Sequence, residues 1–168
     1  MLAIFLIIVG IILRFIPHAP NFTPVAAIAL FSGAYLSRRH AVLIPLTLMA
    51  VSDLFLGGHD VMIFTWSGIA LVSLFGFLLR EKKGLLRVSL FSVASSIIFF
   101  LISNFGVWLQ GWYPRNLNGL IQCYVMALPF LRNFTMGTLS YSFVFFGIYE
   151  LALAKAKQFK LAKIFLTI

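Results

Sequence analysis

Acidic side chains are nearly missing from this chain. Four Asp and Glu stand against thirteen Lys and Arg, and charged residues of both signs make up only 10% of the sequence. A soluble domain normally carries two to three times that share. There is one cysteine, Cys123, which excludes an intramolecular disulfide and any metal cage built from cysteine alone. No Gly-x-Ser-x-Gly, His-Glu-x-x-His, Walker A loop or pair of intramembrane aspartates is present, so the chain is not expected to be an enzyme. No His or Cys spacing suggests a resident metal, and no cofactor is expected. The basic residues sit in small clusters instead of a stripe or face, which argues against a nucleic-acid partner.

What the chain has instead is apolar length. Hydrophobic residues make up 62% of 168 residues, and mean hydropathy is +1.06. A water-soluble fold of this size has too little interior to hide that much apolar surface, whereas a bilayer-spanning helix takes about 20 apolar residues. The expectation is an all-α polytopic protein of six transmembrane helices, over residues 1–16, 25–37, 41–56, 61–79, 88–109 and 134–154. Prolines at Pro17, Pro20 and Pro24, the pair Gly57-Gly58, and Gly84 mark the breaks. Residues 1–154 form a single transmembrane domain in this reading, and 155–168 a basic amphipathic tail on an anionic cytoplasmic surface.

Charge placement gives an orientation. With both termini cytoplasmic, ten of the thirteen basic residues fall inside, and only Arg14, Arg115 and Arg132 fall outside. The inner bias is the one expected of a multi-pass protein with its basic side toward the cytoplasm. Within the second span, Ala29, Gly33 and Ser37 repeat every four residues, a small-residue face suited to packing a partner helix.

The stretch 103–133 departs from the rest, crowding Asn, Gln, Arg, Cys, Trp and Tyr beside apolar runs. Its segment 119–131 is too short to span and contains Gln122, Cys123 and Pro129, so a bent or re-entrant piece is expected there. The assigned orientation puts this stretch on the outer side, together with polar residues from distant loops. Asn21, Asp53, His59, Asn104, Trp108, Tyr113, Arg115, Gln122 and Arg132 are the candidates for lining a substrate site there. A carboxylate near the end of an apolar span is costly, so Asp53 must pair with Arg14 or Arg132, cap the next turn, or meet a ligand cation. Trp108 and Tyr113 also suit an interfacial aromatic belt. Arg115 and Arg132 run against the charge bias and suit an anionic ligand. Glu150, at the inner end of the last span, is expected to pair with Arg38, Arg39 or a tail lysine.

Four separated motifs carry a resemblance: Arg14-Phe-Ile-Pro-His with Pro20-Asn-Phe-Thr-Pro-Val-Ala-Ala-Ile-Ala-Leu-Phe-Ser-Gly-Ala-Tyr35, then Ser52-Asp-Leu-Phe-Leu-Gly-Gly-His59, Ser103-Asn-Phe-Gly-Val-Trp-Leu109 and Gly119-Leu-Ile-Gln-Cys-Tyr-Val-Met-Ala-Leu-Pro-Phe130. They resemble an uncharacterised family of small bacterial membrane proteins grouped with transport proteins. That family in turn resembles the substrate-binding S components of energy-coupling-factor (ECF) vitamin transporters. The resemblance implies a six-helix bundle whose outer pocket takes a scarce vitamin, cofactor precursor or metal-containing cofactor. It also implies docking on a coupling subunit driven by ATPases. S components commonly dock through an Ala-x-x-x-Ala face on the first helix; here Ile7 follows Ala3 at that spacing, so docking would use another face, such as Ala29, Gly33 and Ser37. The alternative is an accessory membrane subunit that packs on partner helices and binds no ligand.

Overall fold

The computed structural model describes residues 2–17 and 19–158. Every regular element in that range is helical: α1 (Leu2–Phe15), α2 (Val25–Tyr35), α3 (Arg38–Leu56), α4 (Met62–Gly76), α5 (Leu85–Leu109), α6 (Leu117–Met126) and α7 (Leu128–Gln158). A single 3-10 turn, Phe77–Leu79, prolongs α4.

The shortest of the core helices lies at the centre. Residues Val25 to Ala34 of α2 are all buried, and α1, α3, α4, α5 and α7 pack around it. A helix apolar on every side has no outward face, and burial from all directions is the arrangement that satisfies it. Its eleven residues rise only about 16 Å. That is roughly half of a bilayer's ~30 Å hydrocarbon core, so α2 is lodged among longer helices and does not span by itself.

Glycine sets how closely α4 approaches it. A Cβ on Gly33 would stand 2.1 Å from the Ser73 carbonyl oxygen and 2.7 Å from the Gly76 Cα; one on Gly76 would stand 2.3 Å from the Leu30 carbonyl oxygen. The two backbones are therefore in direct contact, which only residues without a side chain permit. At the same end, Arg80 closes the α2 C-terminus. Its Nε and Nη2 donate to the Gly33 and Leu36 carbonyls at 2.9 and 2.6 Å, satisfying acceptors that a helix end leaves orphaned. The Tyr35 hydroxyl donates to Glu150. Among the described residues Glu150 is thus held by a tyrosine, with no ion pair to Arg38 or Arg39; Lys160 and Lys163 of the expected tail lie outside the described residues.

Polarity is inverted relative to a soluble fold. On α5, Leu86, Leu90, Val93, Ile97, Leu101 and Phe105 form an exposed stripe, while Ser92, Ser95 and Ser96 are fully buried. Ser32, Ser52, Ser73, Thr138 and Ser142 are buried on other helices. An exposed aliphatic stripe of this length is stable against lipid or another apolar partner, not against water. Three helical stretches are long and apolar enough to cross a membrane: Met62–Leu79, Leu85–Leu109 and Leu128–Ala156.

The structure corrects several boundaries. Of the six expected spans, three correspond to these stretches; α1 and α2 have 14 and 11 residues, and α3 begins with Arg38, Arg39 and His40 inside its first turn. The segment 119–131 is not one bent piece. Its first part belongs to α6, and a turn at Ala127 separates it from α7, whose first bonds run from Phe130 and Leu131 N–H to the Ala127 carbonyl at 3.0 and 3.1 Å. Pro129 is the second residue of α7 and starts that helix instead of interrupting one, since a first-turn residue has no N–H bond to lose. α7 then runs unbroken through 158, past the domain boundary placed at 154, and residues 159–168 of the expected tail lie outside the described residues.

The small-residue face of α2 is also reassigned. Ala29 is fully buried and Gly33 is closed by α4 of the same chain, so the face is used internally; only Ser37 remains exposed, with its Oγ 2.7 Å from His40 Nδ1. Gly33→Ala should therefore lower the thermal unfolding midpoint in detergent, by an overpacking penalty of about 1–3 kcal/mol. Gly147→Ala, where a Cβ meets nothing within 4 Å, should leave it unchanged or raised; equal midpoints for both variants would contradict the backbone contact.

Candidate functional site

The loops at one end of the bundle are tied to one another. The Gln110 amide donates to the Asp60 carbonyl at 2.8 Å, joining the α5 terminus to the α3–α4 turn. Asn133 donates to the Pro20 carbonyl at 3.1 Å, joining the start of α7 to the loop before α2. Arg14 and Asp53 join α1 to α3. Polar residues from four distant segments thus reach the same end, and they sort into three groups.

The first group forms a cleft of about 180 Å³ lined by Asn21, Thr65, Ser103 and Asn104 with Phe99, Phe100, Phe130, Leu131 and Phe134. It lies where α2 has not yet begun. Phe99 sits ten residues before the end of α5, about 15 Å down the helix. The irregular segment ahead of α2 provides one wall, and non-helical backbone at such depth is tolerated where it borders a cavity. Asn21 adopts the left-handed backbone conformation at φ 61°, which Asn accepts more readily than other side chains. Thr65 and Ser103 donate to the Met62 and Phe100 carbonyls at 3.0 and 3.4 Å, and the Asn104 amide nitrogen donates to the Phe100 carbonyl at 2.9 Å. With their donors turned to their own helices, these groups offer mainly acceptor oxygens to the cleft.

The second group surrounds Asp53, which is 6% exposed. Trp66 Nε1 donates to Oδ2 at 2.8 Å, Arg14 Nη2 lies 3.6 Å from Oδ1, and His59 Nε2 lies 4.0 Å from Oδ2. Of the pairings left open by the sequence, Arg14 is the one adopted. Trp66 gave no signal, since a tryptophan inside an apolar span has many uses. His59 faces outward into a broad open depression with Gly58, Asp60, Met62, Ile63 and Trp66.

The third group is occupied in shaping the turn from α5 to α6. Trp108 Nε1 donates to the Pro114 carbonyl at 3.0 Å, and Arg115 Nη2 to the Leu109 carbonyl at 2.9 Å. The Asn116 side chain caps α6 by accepting the Gly119 N–H at 2.9 Å, and the Cys123 thiol donates to the Asn104 carbonyl at 3.4 Å. Tyr113 is half-buried beside this turn, while Gln122 and Arg132 are exposed.

Of the nine candidates, the structure places Asn21 and Asn104 in the cleft and Asp53 and His59 in a separate cluster. Trp108, Tyr113, Arg115, Gln122 and Arg132 do not line the cleft. Thr65, Ser103 and the five apolar cleft residues were missed. The chain has 19 phenylalanines, and nothing in their spacing singles out Phe99 or Phe134.

The Asp53 cluster makes a stability prediction. Arg14→Met leaves a buried carboxylate without its cation and should destabilise by about 3 kcal/mol or more. The double change Arg14→Met with Asp53→Asn should recover most of that loss in thermal unfolding. Failure of the double variant to recover would mean that Arg14 acts through packing alone.

No curated protein and no solved structure matches the sequence significantly. A family model described as a family of unknown function, DUF6580, matches residues 1–161, and the chain belongs to that family.

Proposed function

We propose that this protein is a substrate-binding or translocating subunit for uptake of a small, scarce nutrient across a bacterial cytoplasmic membrane. The observation that carries the reading is the cleft, because it combines depth, an aromatic floor and unused polar acceptors at one end of an otherwise apolar bundle. Its volume of about 180 Å³ lies below the ~300–1,000 Å³ of a typical small-molecule pocket. A small vitamin fragment or cofactor precursor suits it better than a corrinoid. None of the lining side chains is charged. The ligand favoured is therefore a neutral solute with O–H or N–H donors and one apolar face to lie on Phe99, Phe100 and Phe134.

In this reading α1 to α5 and α7 alternate in direction, the termini are cytoplasmic, and the cleft opens outward. Support comes from the basic residues, ten of thirteen of which then lie inside. The S-component analogy adds a coupling subunit and ATPases as partners. The accessory-subunit alternative loses most of the surface suggested for it, since Ala29 is fully buried and Gly33 is closed by α4.

Small molecules released from the purified, denatured protein should include a polar solute. That solute should fall at least tenfold in Ser103→Leu and Thr65→Leu, whose added bulk fills the cleft, and stay unchanged in Arg132→Ala. Recovery of lipid alone from all four proteins would remove the transport reading.

A further inference from the structure

The floor of the cleft is an aromatic pair. The rings of Phe99 on α5 and Phe134 on α7 stack with centroids 4.5 Å apart and planes 19° from parallel, and both line the cleft. The stack also fixes how the two helices are registered, because they run in opposite directions from it. Ser95 lies one turn beyond Phe99 and Thr138 one turn beyond Phe134, each about 6 Å deeper. Ser92 and Ser142 lie a further turn down, about 10–12 Å beneath the rings at 1.5 Å per residue. Helical spacing of three, four and seven or eight residues keeps these side chains on the faces that carry the two rings. The hydroxyls of α5 and α7 therefore lie below the stack, on the two helix faces that carry it.

Their hydrogen bonding separates them from ordinary helix serines. Ser96 donates to the Ser92 carbonyl at 2.9 Å, Thr138 to the Phe134 carbonyl at 2.8 Å and Ser73 to the Ile69 carbonyl at 3.1 Å, the usual way a hydroxyl is satisfied in a helix. Ser92, Ser95 and Ser142 are fully buried, and none of their hydroxyls has a partner. A buried hydroxyl without a partner is unfavourable by about 1–3 kcal/mol. Three on the facing helices α5 and α7, one to two turns beneath the ring stack, call for a ligand more than for three separate accidents of packing; the other unpartnered buried hydroxyls, Thr23 and Ser32, lie before and on α2.

We infer that Ser92, Ser95 and Ser142 form a second, inner polar site for the hydrogen-bonding group of a neutral hydroxyl- or amide-bearing solute, reached from the cleft by displacement of the Phe99–Phe134 pair. The inference rests on the cleft being a solute site and extends it into a route. Phe99 is seated tightly, since a Cβ on Gly68 of α4 would lie 3.0 Å from its ring. Phe134 is buried, 5% exposed, and stacked on Phe99, so the pair closes the inner site until a solute displaces it. The inner site carries hydroxyls and no charge, so it passes on the selection that the cleft begins.

Thiol accessibility tests this without knowing the solute. In a full chain carrying Cys123→Ser, single cysteines replace Ser103, Ser95, Ser142 or the core residue Val72, and modification by 2-aminoethyl methanethiosulfonate is timed by mass spectrometry. Ser103→Cys should react and the other three should be protected. Adding Phe134→Ala, or the gentler Phe134→Leu, should accelerate Ser95→Cys and Ser142→Cys at least tenfold while Val72→Cys stays protected. Unchanged rates at Ser95 and Ser142 in both backgrounds overturn the inner site, and so does equal acceleration at Val72, which signals general loosening. A protected Ser103→Cys in the parent is a different failure, because it removes the cleft as an open site.

Discussion

The contact on which the rest depends is the backbone-to-backbone crossing of α2 and α4 at Gly33 and Gly76. Neither helix has an amphipathic face to direct it, and both are apolar around their circumference. In lipid the hydrophobic effect does not sort such helices, because acyl chains are as apolar as leucine. Shape does the sorting. Two glycines at one level remove the side chains that would hold the helices apart, and close approach then recruits dispersion along both of them. Arg80, reaching back from the end of α4 to the Gly33 and Leu36 carbonyls, fixes the depth at which α2 stops.

A central helix that stops short has a consequence at the opposite end. The neighbours α5 and α7 have 25 and 31 residues, whereas α2 has 11. With the α2 C-terminus pinned by Arg80, its N-terminus lies well below the far end of those helices. The space above is filled by the irregular segment leading to Pro24, and what that segment does not fill is the cleft. Position of the site thus follows from helix length and from one arginine, more than from any residue inside the site.

These relations mark what the sequence could and could not disclose. Apolar runs and proline breaks located α1 to α5 to within a few residues, because length and breakers act locally; α7 begins six residues before its expected start, since Pro129 starts that helix. The charge on Asp53 announced a partner, and Arg14 was among those foreseen. The outcome at Glu150 went differently: charge pairing pointed to a basic residue, but Tyr35, aligned by the α2–α7 contact, is the neighbour that reaches it. Arg80 was read as a topology signal, and its capping role was invisible because it spans more than forty residues of sequence. Arg115 and Trp108 looked like ligand residues for the same reason that loops look functional: they are polar and aromatic. Their hydrogen bonds turn out to close the six-residue neighbourhood in which they sit.

Neutrality of the cleft is the last step in this chain of constraints. A charged ligand brought to the depth of Phe99 would need a counter-charge there, and a lone counter-charge would be expensive whenever the site was vacant. The only buried carboxylate among the described residues, Asp53, does not line the cleft; it is paired with Arg14 and accepts a hydrogen bond from Trp66. Amide and hydroxyl groups avoid this difficulty, since each can return to its own helix carbonyl or turn to a ligand at small cost. Thr65, Ser103 and Asn104 all sit on such carbonyls. Under the proposed function, a site built from groups with that choice would bind and release a neutral solute without ever leaving a charge unpaired in the bundle.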